Sequence, residues 1–549
     1  MNNNSSQAFR NMILVLSLYM CVVVLQFLLL YPLHTTMDLP RWDEALYMGW
    51  GEQFLHGGTL GYISGSPVYK LLYSIFVKIF GTVNSIFYMQ YFVKISVSAL
   101  FLLFLVEYLQ SRLLALLLTL IWILSGVNIW EKVLVYHVAL GFFLLALVSL
   151  NKHQVIAFLL LCLCALTRLE YIFLTFAFAG YLTVTSISRY KSDRLGSVSP
   201  KIGISLPRLM VSLLTMFLSY VVLNVGSFNP GTKRTWFAFN QNYARHEVES
   251  GRYKLNPYID SNIVIQKDFP GADSLTDAFL INQNLFLNHL LRNIAILPEA
   301  TIRFIRPYTS GSRSGLLYGV LLGFIITVLI QAAVVNHRMF FSGLLRVIRE
   351  RKKILYLTLM CIPTLIPILL VYPLPHHTLI MAPLCLFWPG LAYLQALKII
   401  NFVKFTRWSL INLNLLFILF ILVVHKPYTS KYGERTVYGQ VTQLIEVWPE
   451  EKLKLLGVGA SWYASYIGSQ NVLPIEPLAT VYGGKIDYDS TDLRILIKKY
   501  NPDAVLINSV LINSKNLNTD SLEVLNSDQW VKYPIGNDSL YFLKEKFKR

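Results

Sequence analysis

Apolar stretches long enough to cross a bilayer recur along this chain, and no soluble core could bury so many of them. The first, from Met12 to Leu33, follows Arg10 and lacks a small-residue cleavage site, which predicts a retained first helix. Further spans are expected near 84–109, 112–129, 132–150, 154–167, 169–187, 208–226, 314–335, 354–372, 378–397 and 408–425. Composition points the same way, with 55% hydrophobic and only 14% charged residues. The net charge of +18 falls largely in short loops between apolar runs, as retention on the cytoplasmic side of a membrane requires. No basic stripe interleaved with aromatics accompanies it, so nucleic-acid binding is rejected. Cys21, Cys162, Cys164, Cys361 and Cys385 all lie in apolar runs, which implies neither a disulfide framework nor a metal cluster.

The basic clusters set the topology. Lys152, the group from Arg189 to Arg208, the group from Arg338 to Lys353, and Lys398 to Arg407 belong on the cytoplasmic side. Counting every apolar run as a crossing breaks this pattern, so one run must lie on the surface. Residues 67–81 are short for a span and carry Lys70 and Lys78, so an interfacial or re-entrant helix is expected there. Eleven crossings result, with the N-terminus inside and the C-terminus outside. The outer face then receives a first loop over 34–83, the turn at Arg168–Glu170, a long loop over 227–313 and the segment from Pro373 to His377.

Past about His425 the composition becomes that of a soluble domain. Lys454 to Gly459 reads as strand then turn, Thr491 to Tyr500 as an amphipathic helix and Asp503 to Ile507 as a buried strand. The expected architecture is an all-α polytopic membrane domain over 1–425 and a small α/β domain outside the membrane over 426–549. The Gly457-x-Gly459 turn is a weak dinucleotide signal, because the third glycine of that fingerprint is missing.

The order of features in the first outer loop is the most informative. An acidic pair, Asp43-Glu44, opens a helix ending near Gly57-Gly58; Ser66-Pro67 then opens a second helix closing at Phe80-Gly81. This arrangement resembles the GT-C integral-membrane glycosyltransferases, in particular the protein O-mannosyltransferase and lipid A aminoarabinose transferase group. The resemblance covers roughly residues 10–230, and the rest only as a general plan. It implies transfer of a sugar, with inversion, from a polyprenyl-phosphate carrier to a lipid, glycan or protein acceptor at the outer membrane face.

Under that resemblance Asp43 is the catalytic carboxylate of the first loop, acting as base, with Glu44 beside it. A hydroxyl acceptor needs a general base within hydrogen-bond reach, and a leaving lipid phosphate needs cations rather than an acid. Capping an interfacial helix is the competing role for both carboxylates. His137 stands where relatives carry a second acid, with Glu131 six residues earlier, which speaks against a carboxylate-bound divalent metal. His137, Glu131 and Glu170 are candidates for orienting donor or acceptor, with a satisfied histidine in a helix interface as the competing reading of His137. Arg168 is the phosphate candidate, because guanidinium matches phosphate oxygens bidentately; an ion pair with Glu170 is the alternative. His376 and His377 partly match a late basic-aromatic element of the family. Lys70 is a further phosphate candidate, with snorkelling to the interface as its competing role. In the long loop, the aromatics and amides around Tyr243 suit sugar recognition. Metal ligands and cofactors are not indicated.

Two competing functions remain at this level. A lipid-linked glycan ligase or polymerase would rest on Arg303 and Arg306; a transporter or flippase would need an internal repeat and discontinuous helices, which the sequence does not offer. A bacterial inner membrane is the expected location.

Overall fold

The computed structural model describes residues 2–31, 43–56, 66–130, 133–194, 211–215, 218, 234–258, 260–302, 312–374, 376–399, 444, 452–468, 471–476, 492–513, 517–535 and 538–547. The expected span at 408–425, most of that at 208–226, and Glu131, Arg303 and Arg306 fall outside them.

Helix α1 runs Asn2–Leu30, α2 Asp43–Leu55 and α3 Pro67–Leu109. The short surface helix expected at 67–81 is the first part of α3, which bends at Gly81, where φ is 74° and ψ 165°. A left-handed φ is cheap only for glycine, so the sequence places its bend where a Cβ would be strained. Pro67 sits in the first turn, where its missing N–H costs no intrahelical bond. The part beyond the bend, Asn84–Leu109, is one of four helices among the described residues long and apolar enough to cross a membrane; the others are Val328–Glu350, Lys352–Val371 and Leu379–Ile399. These helices suggest a membrane protein.

Four shorter helices come next: α4 Arg112–Ile123, α5 Gly126–Trp130, α6 Val135–Ser149 and α7 Gln154–Thr167. The run expected to cross over 112–129 therefore breaks near Ser125. Buried polar groups tie this break to its neighbours. Asn128 Nδ2 and Ser98 Oγ each donate to Gln26 Oε1 at 2.8 Å, and Lys94 Nζ donates to the Ile129 carbonyl at 3.0 Å. Hydrogen bonds of this kind lower the cost of polar side chains in an apolar interior, here only in part, since Gln26 Nε2 and Asn128 Oδ1 are buried without a partner among the described residues.

After α8 (Ile172–Arg194) come four helices of the long loop expected on the outer face, named the outer segment for that expectation: α9 Arg234–Glu249, α10 Ser261–Asp268, α11 Leu275–Ile281 and α12 Gln283–Ile302. It has a core of its own around Phe239, Tyr243, Phe269 and Phe286. Helix α13 (Ser312–Glu350) bends at Asn336, whose side-chain oxygen accepts from the Met339 amide at 3.0 Å. The apolar run expected to end near residue 335 thus continues past a bend. Helices α14 (Lys352–Cys361), α15 (Leu365–Val371) and α16 (Ala382–Ile399) follow.

The C-terminal residues form a five-stranded sheet in the order β2-β1-β3-β5-β4. Its strands are β1 Leu453–Leu456, β2 Val472–Ile475, β3 Ala504–Ile507, β4 Trp530–Ile535 and β5 Asp538–Leu543. The first three are parallel, and β5 runs antiparallel to both β3 and β4. Helix α17 (Ala460–Ile467) joins β1 to β2, and α18 (Leu493–Tyr500), capped by Asp492, precedes β3. Strand β3 is buried along its whole length, as an unbroken apolar run predicts. Helix α17 also docks on α2, through Ser465 Oγ donating to the Ala45 carbonyl at 3.3 Å.

Candidate active site

Glu44 lies in the first turn of α2 and is completely buried. One carboxylate oxygen accepts a short hydrogen bond from the Tyr69 hydroxyl, and Tyr73 lies close enough to the same carboxylate to feel its charge, with its own hydroxyl making no hydrogen bond among the described residues. The other accepts from the Leu134 amide at 3.1 Å. Leu134 is the residue preceding α6, so the carboxylate faces the positive end of that helix. Tyr69 and Tyr73 are four apart on α3 and therefore share a face. Tyr47, one turn along from Glu44, meets Tyr69 edge to face at 5.2 Å, and Tyr69 meets Tyr73 the same way at 5.4 Å.

From Tyr47 the network passes to the turn after α7. Arg168 donates from Nη1 to the Tyr47 hydroxyl at 3.0 Å, and through Nε (3.1 Å) and Nη2 to Glu170. Its guanidinium carbon lies 4.3 Å from the centre of the Tyr136 ring, in the first turn of α6. His376 and His377 meet that same ring at 4.8 and 5.3 Å. Stretches of chain around 44–47, 69–73, 134–136, 168–170 and 376–377 thus meet at one buried junction.

Burial, aided by His376 and the Arg168 cation, pushes His377 down to about 3. Its Nδ1–H donates to the Tyr372 carbonyl at 2.9 Å, which leaves Nε2 as an acceptor. His377 is therefore a neutral ring at pH 7, suited to orienting a hydroxyl more than to pairing with phosphate. Arg168 is the fixed cation here. Of the two roles considered for it, this geometry contains the ion pair with Glu170; its fork also reaches Tyr47.

The remaining candidates lie in other surroundings. Asp43 is the first residue of α2, and its side chain lies outside the described atoms. His137 is buried on α6 against Trp122, with ring centres 6.1 Å apart; one position along from Tyr136, it leaves the helix on a different face. Lys70 lies 5.3 Å over the Trp50 ring, and burial pushes it down to about 8. Tyr243 belongs to the outer segment, where its hydroxyl donates to Asp268 at 2.9 Å. Tyrosines 47, 69, 73 and 136 do not stand out in the sequence. The available signal is spacing, with Tyr47 at i+3 from Glu44 and Tyr69 and Tyr73 at i and i+4.

The outer segment reaches the junction through the end of α15. Asn293 Nδ2 donates to the Leu369 carbonyl at 2.7 Å, and His289 Nε2 contacts the Val371 carbonyl at 3.0 Å, next to Tyr372. Elsewhere, the Gly457-x-Gly459 turn leads into α17, whose first turn is occupied by Glu476: its carboxylate accepts from the Ser461 amide at 2.8 Å. Burial pushes that carboxyl up to about 7. An internal acid thus takes the place that a dinucleotide phosphate would need. Among the described residues no group of three or more His, Cys, Asp or Glu side chains is arranged to hold a metal ion.

No protein-family model matches the chain, and no curated protein does. Among solved structures, the crystal structure of an oligosaccharyltransferase from Archaeoglobus fulgidus, in complex with zinc and sulfate, is similar to it. The identity is 12%, the TM-score 0.43, and the match covers 96% of this chain and 73% of that one. A likeness this loose carries no argument about function.

Proposed function

We propose that this chain is an integral-membrane glycosyltransferase of the GT-C kind, moving a sugar from a polyprenyl-phosphate donor to a hydroxyl-bearing acceptor at the outer membrane face. Residues 1–425 form its catalytic membrane domain and 426–549 a domain outside the membrane. One observation carries the reading. Glu44 beside Asp43, Arg168 with Glu170, and His376 with His377 each suit this chemistry by residue type, and Glu44, Arg168 and both histidines belong to a single contact network.

Within this proposal Glu44 is held by Tyr69 and the α6 terminus, so it fixes α2 and its neighbour Asp43. Asp43 takes the proton from the acceptor hydroxyl as that oxygen bonds to the anomeric carbon. The bond from the anomeric carbon to the phosphate oxygen breaks, and its electron pair leaves with the lipid phosphate. Arg168 receives the phosphate charge by exchanging Glu170 for it, while Tyr47 keeps hold of one arm of the guanidinium. His377, neutral, accepts a hydrogen bond from a sugar hydroxyl through Nε2.

The test is a comparison of lipid extracts from cells expressing wild type or Asp43→Asn at equal levels. Accumulation of one sugar-loaded polyprenyl phosphate only in the variant is expected. An unchanged lipid profile would overturn the assignment of Asp43 and favour a transporter.

A further inference from the structure

The opposite end of α2 carries a second site. About two turns along the helix from Glu44, a cavity of roughly 560 Å³ opens between α2, the part of α3 around its bend, and the end of α17 with the turn after it. Glu52, Thr82 and Gly468 lie at its base, and His56, Lys78 and Asn471 at its rim. Glu52 is only 5% exposed and accepts from the Thr82 hydroxyl at 3.1 Å. Gly468 has φ 104°, and a Cβ built there would stand 3.3 Å from Glu52 Oε1, so the approach of α17 to this carboxylate depends on glycine.

A carboxylate at the base and a lysine and a histidine at the rim match a ligand with donor hydrogens, or a positive charge, at its tip and a negative charge behind it. Lys78 is followed by Ile79 and Phe80, and Ile79 continues an exposed apolar row with Leu71 and Ile75 at four-residue spacing. Tyr88 and Phe92 extend exposed apolar surface past the bend at Gly81, onto the helix long enough to cross a membrane. The cavity mouth therefore adjoins the surface that acyl chains would cover.

We infer that this cavity binds the headgroup of an amine-bearing phospholipid, a phosphoethanolamine in chemical class. The ammonium sits against Glu52, the phosphate takes Lys78 and His56, and the acyl chains run along Ile75, Ile79 and Phe80. An ammonium with three N–H donors suits a buried carboxylate, whereas a trimethylated amine has none to offer. The inference needs the chain to lie in a membrane but is independent of the transferase reading.

Purified full-length protein in detergent is titrated with phosphatidylethanolamine, phosphatidylcholine and phosphatidylglycerol of identical acyl chains, and bound lipid is counted by native mass spectrometry. Wild type binds phosphatidylethanolamine about tenfold more tightly than the other two, one charge-assisted hydrogen bond's worth of discrimination. Glu52→Gln, close in shape, loses that preference; Lys78→Gln, at an exposed position, weakens all three lipids several-fold. Equal affinities in wild type, or a preference that survives in Glu52→Gln, would overturn the inference. So would glycerophosphoethanolamine, lacking acyl chains, binding as tightly as the lipid, since the ligand would then be soluble. Should Glu52→Gln fail to fold, Lys78→Gln with unaltered binding of every lipid overturns it alone.

Discussion

Among the described residues, two carboxylate–arginine–tyrosine networks are wired differently. In the outer segment, Asp268 accepts from Tyr243, Tyr253 and both terminal nitrogens of Arg252, while Glu247 accepts from Arg252 and Arg292. Apart from Arg292, every partner comes from within 25 residues, and the Arg252 side chain is 42% exposed. At the junction, Glu44 reaches a partner 90 residues away and Arg168 one 121 residues away, and the Arg168 side chain is only 8% exposed. The local network closes on its own helices and stabilises them. The long-range one ties separate parts of the chain to one point, as a site that must hold several groups in register requires.

The largest expected effect comes from breaking the junction. Arg168→Met leaves Glu170 in a largely buried place without its cation, at a cost of about 3–5 kcal/mol. Hydrogen–deuterium exchange should then rise together at 43–48, 133–137 and 376–380. If only residues next to Arg168 loosened, the junction would not be one unit. Asp268→Asn in the outer segment should cost less, about 1.5–3 kcal/mol for its charge-assisted bonds, with faster exchange confined to 234–302. Spread of that effect to α2 or α6 would erase the distinction between the two networks.

Acid should separate them further. Burial and nearby arginine charges hold His246 down to about 4, and burial with His246 and Arg292 holds His289 down to about 3. Both values lie below the ordinary 6.5, so between them and 6.5 the unfolded segment binds protons that the folded one does not. Stability of the outer segment is therefore full above pH 6.5. It declines as pH falls towards 4, by at most roughly 1.4 kcal/mol per pH unit for each histidine. Protection of α9 and α12 measured from pH 7.5 to 4.5 should fall accordingly, and a flat profile would mean that the rings already bind protons when folded. The smallest effect belongs to Arg245→Gln, which removes an i,i+4 pair with Glu249 and should change stability by about 0.5 kcal/mol or less in a thermal melt.

Charge made part of the junction legible in the sequence. Charges are rare enough in the apolar part that Glu44, Arg168 and Glu170 stand out, the strand at 504–507 is readable from its unbroken apolar run, and that at 453–456 from the leucines before its glycine turn. The tyrosines that connect the junction do not stand out, because Tyr47, Tyr69, Tyr73 and Tyr136 look like core residues until the fold brings their hydroxyls and rings to charged partners. The continuity of α3 is hidden for the opposite reason: Gly81 reads as a helix end, yet its left-handed backbone bends the helix and lets it continue. Nothing local announces that Lys70 would turn onto Trp50, since that contact depends on how α2 packs across α3.

The central claim is that the junction receives a lipid phosphate at Arg168. Binding of a long-chain polyprenyl phosphate, without sugar, to purified wild type and to Arg168→Gln tests it most directly, with Arg252→Gln as the control from the local network. Saturable binding to wild type and to Arg252→Gln, reduced at least tenfold in Arg168→Gln, is the expected result. Equal binding to all three proteins would contradict the account.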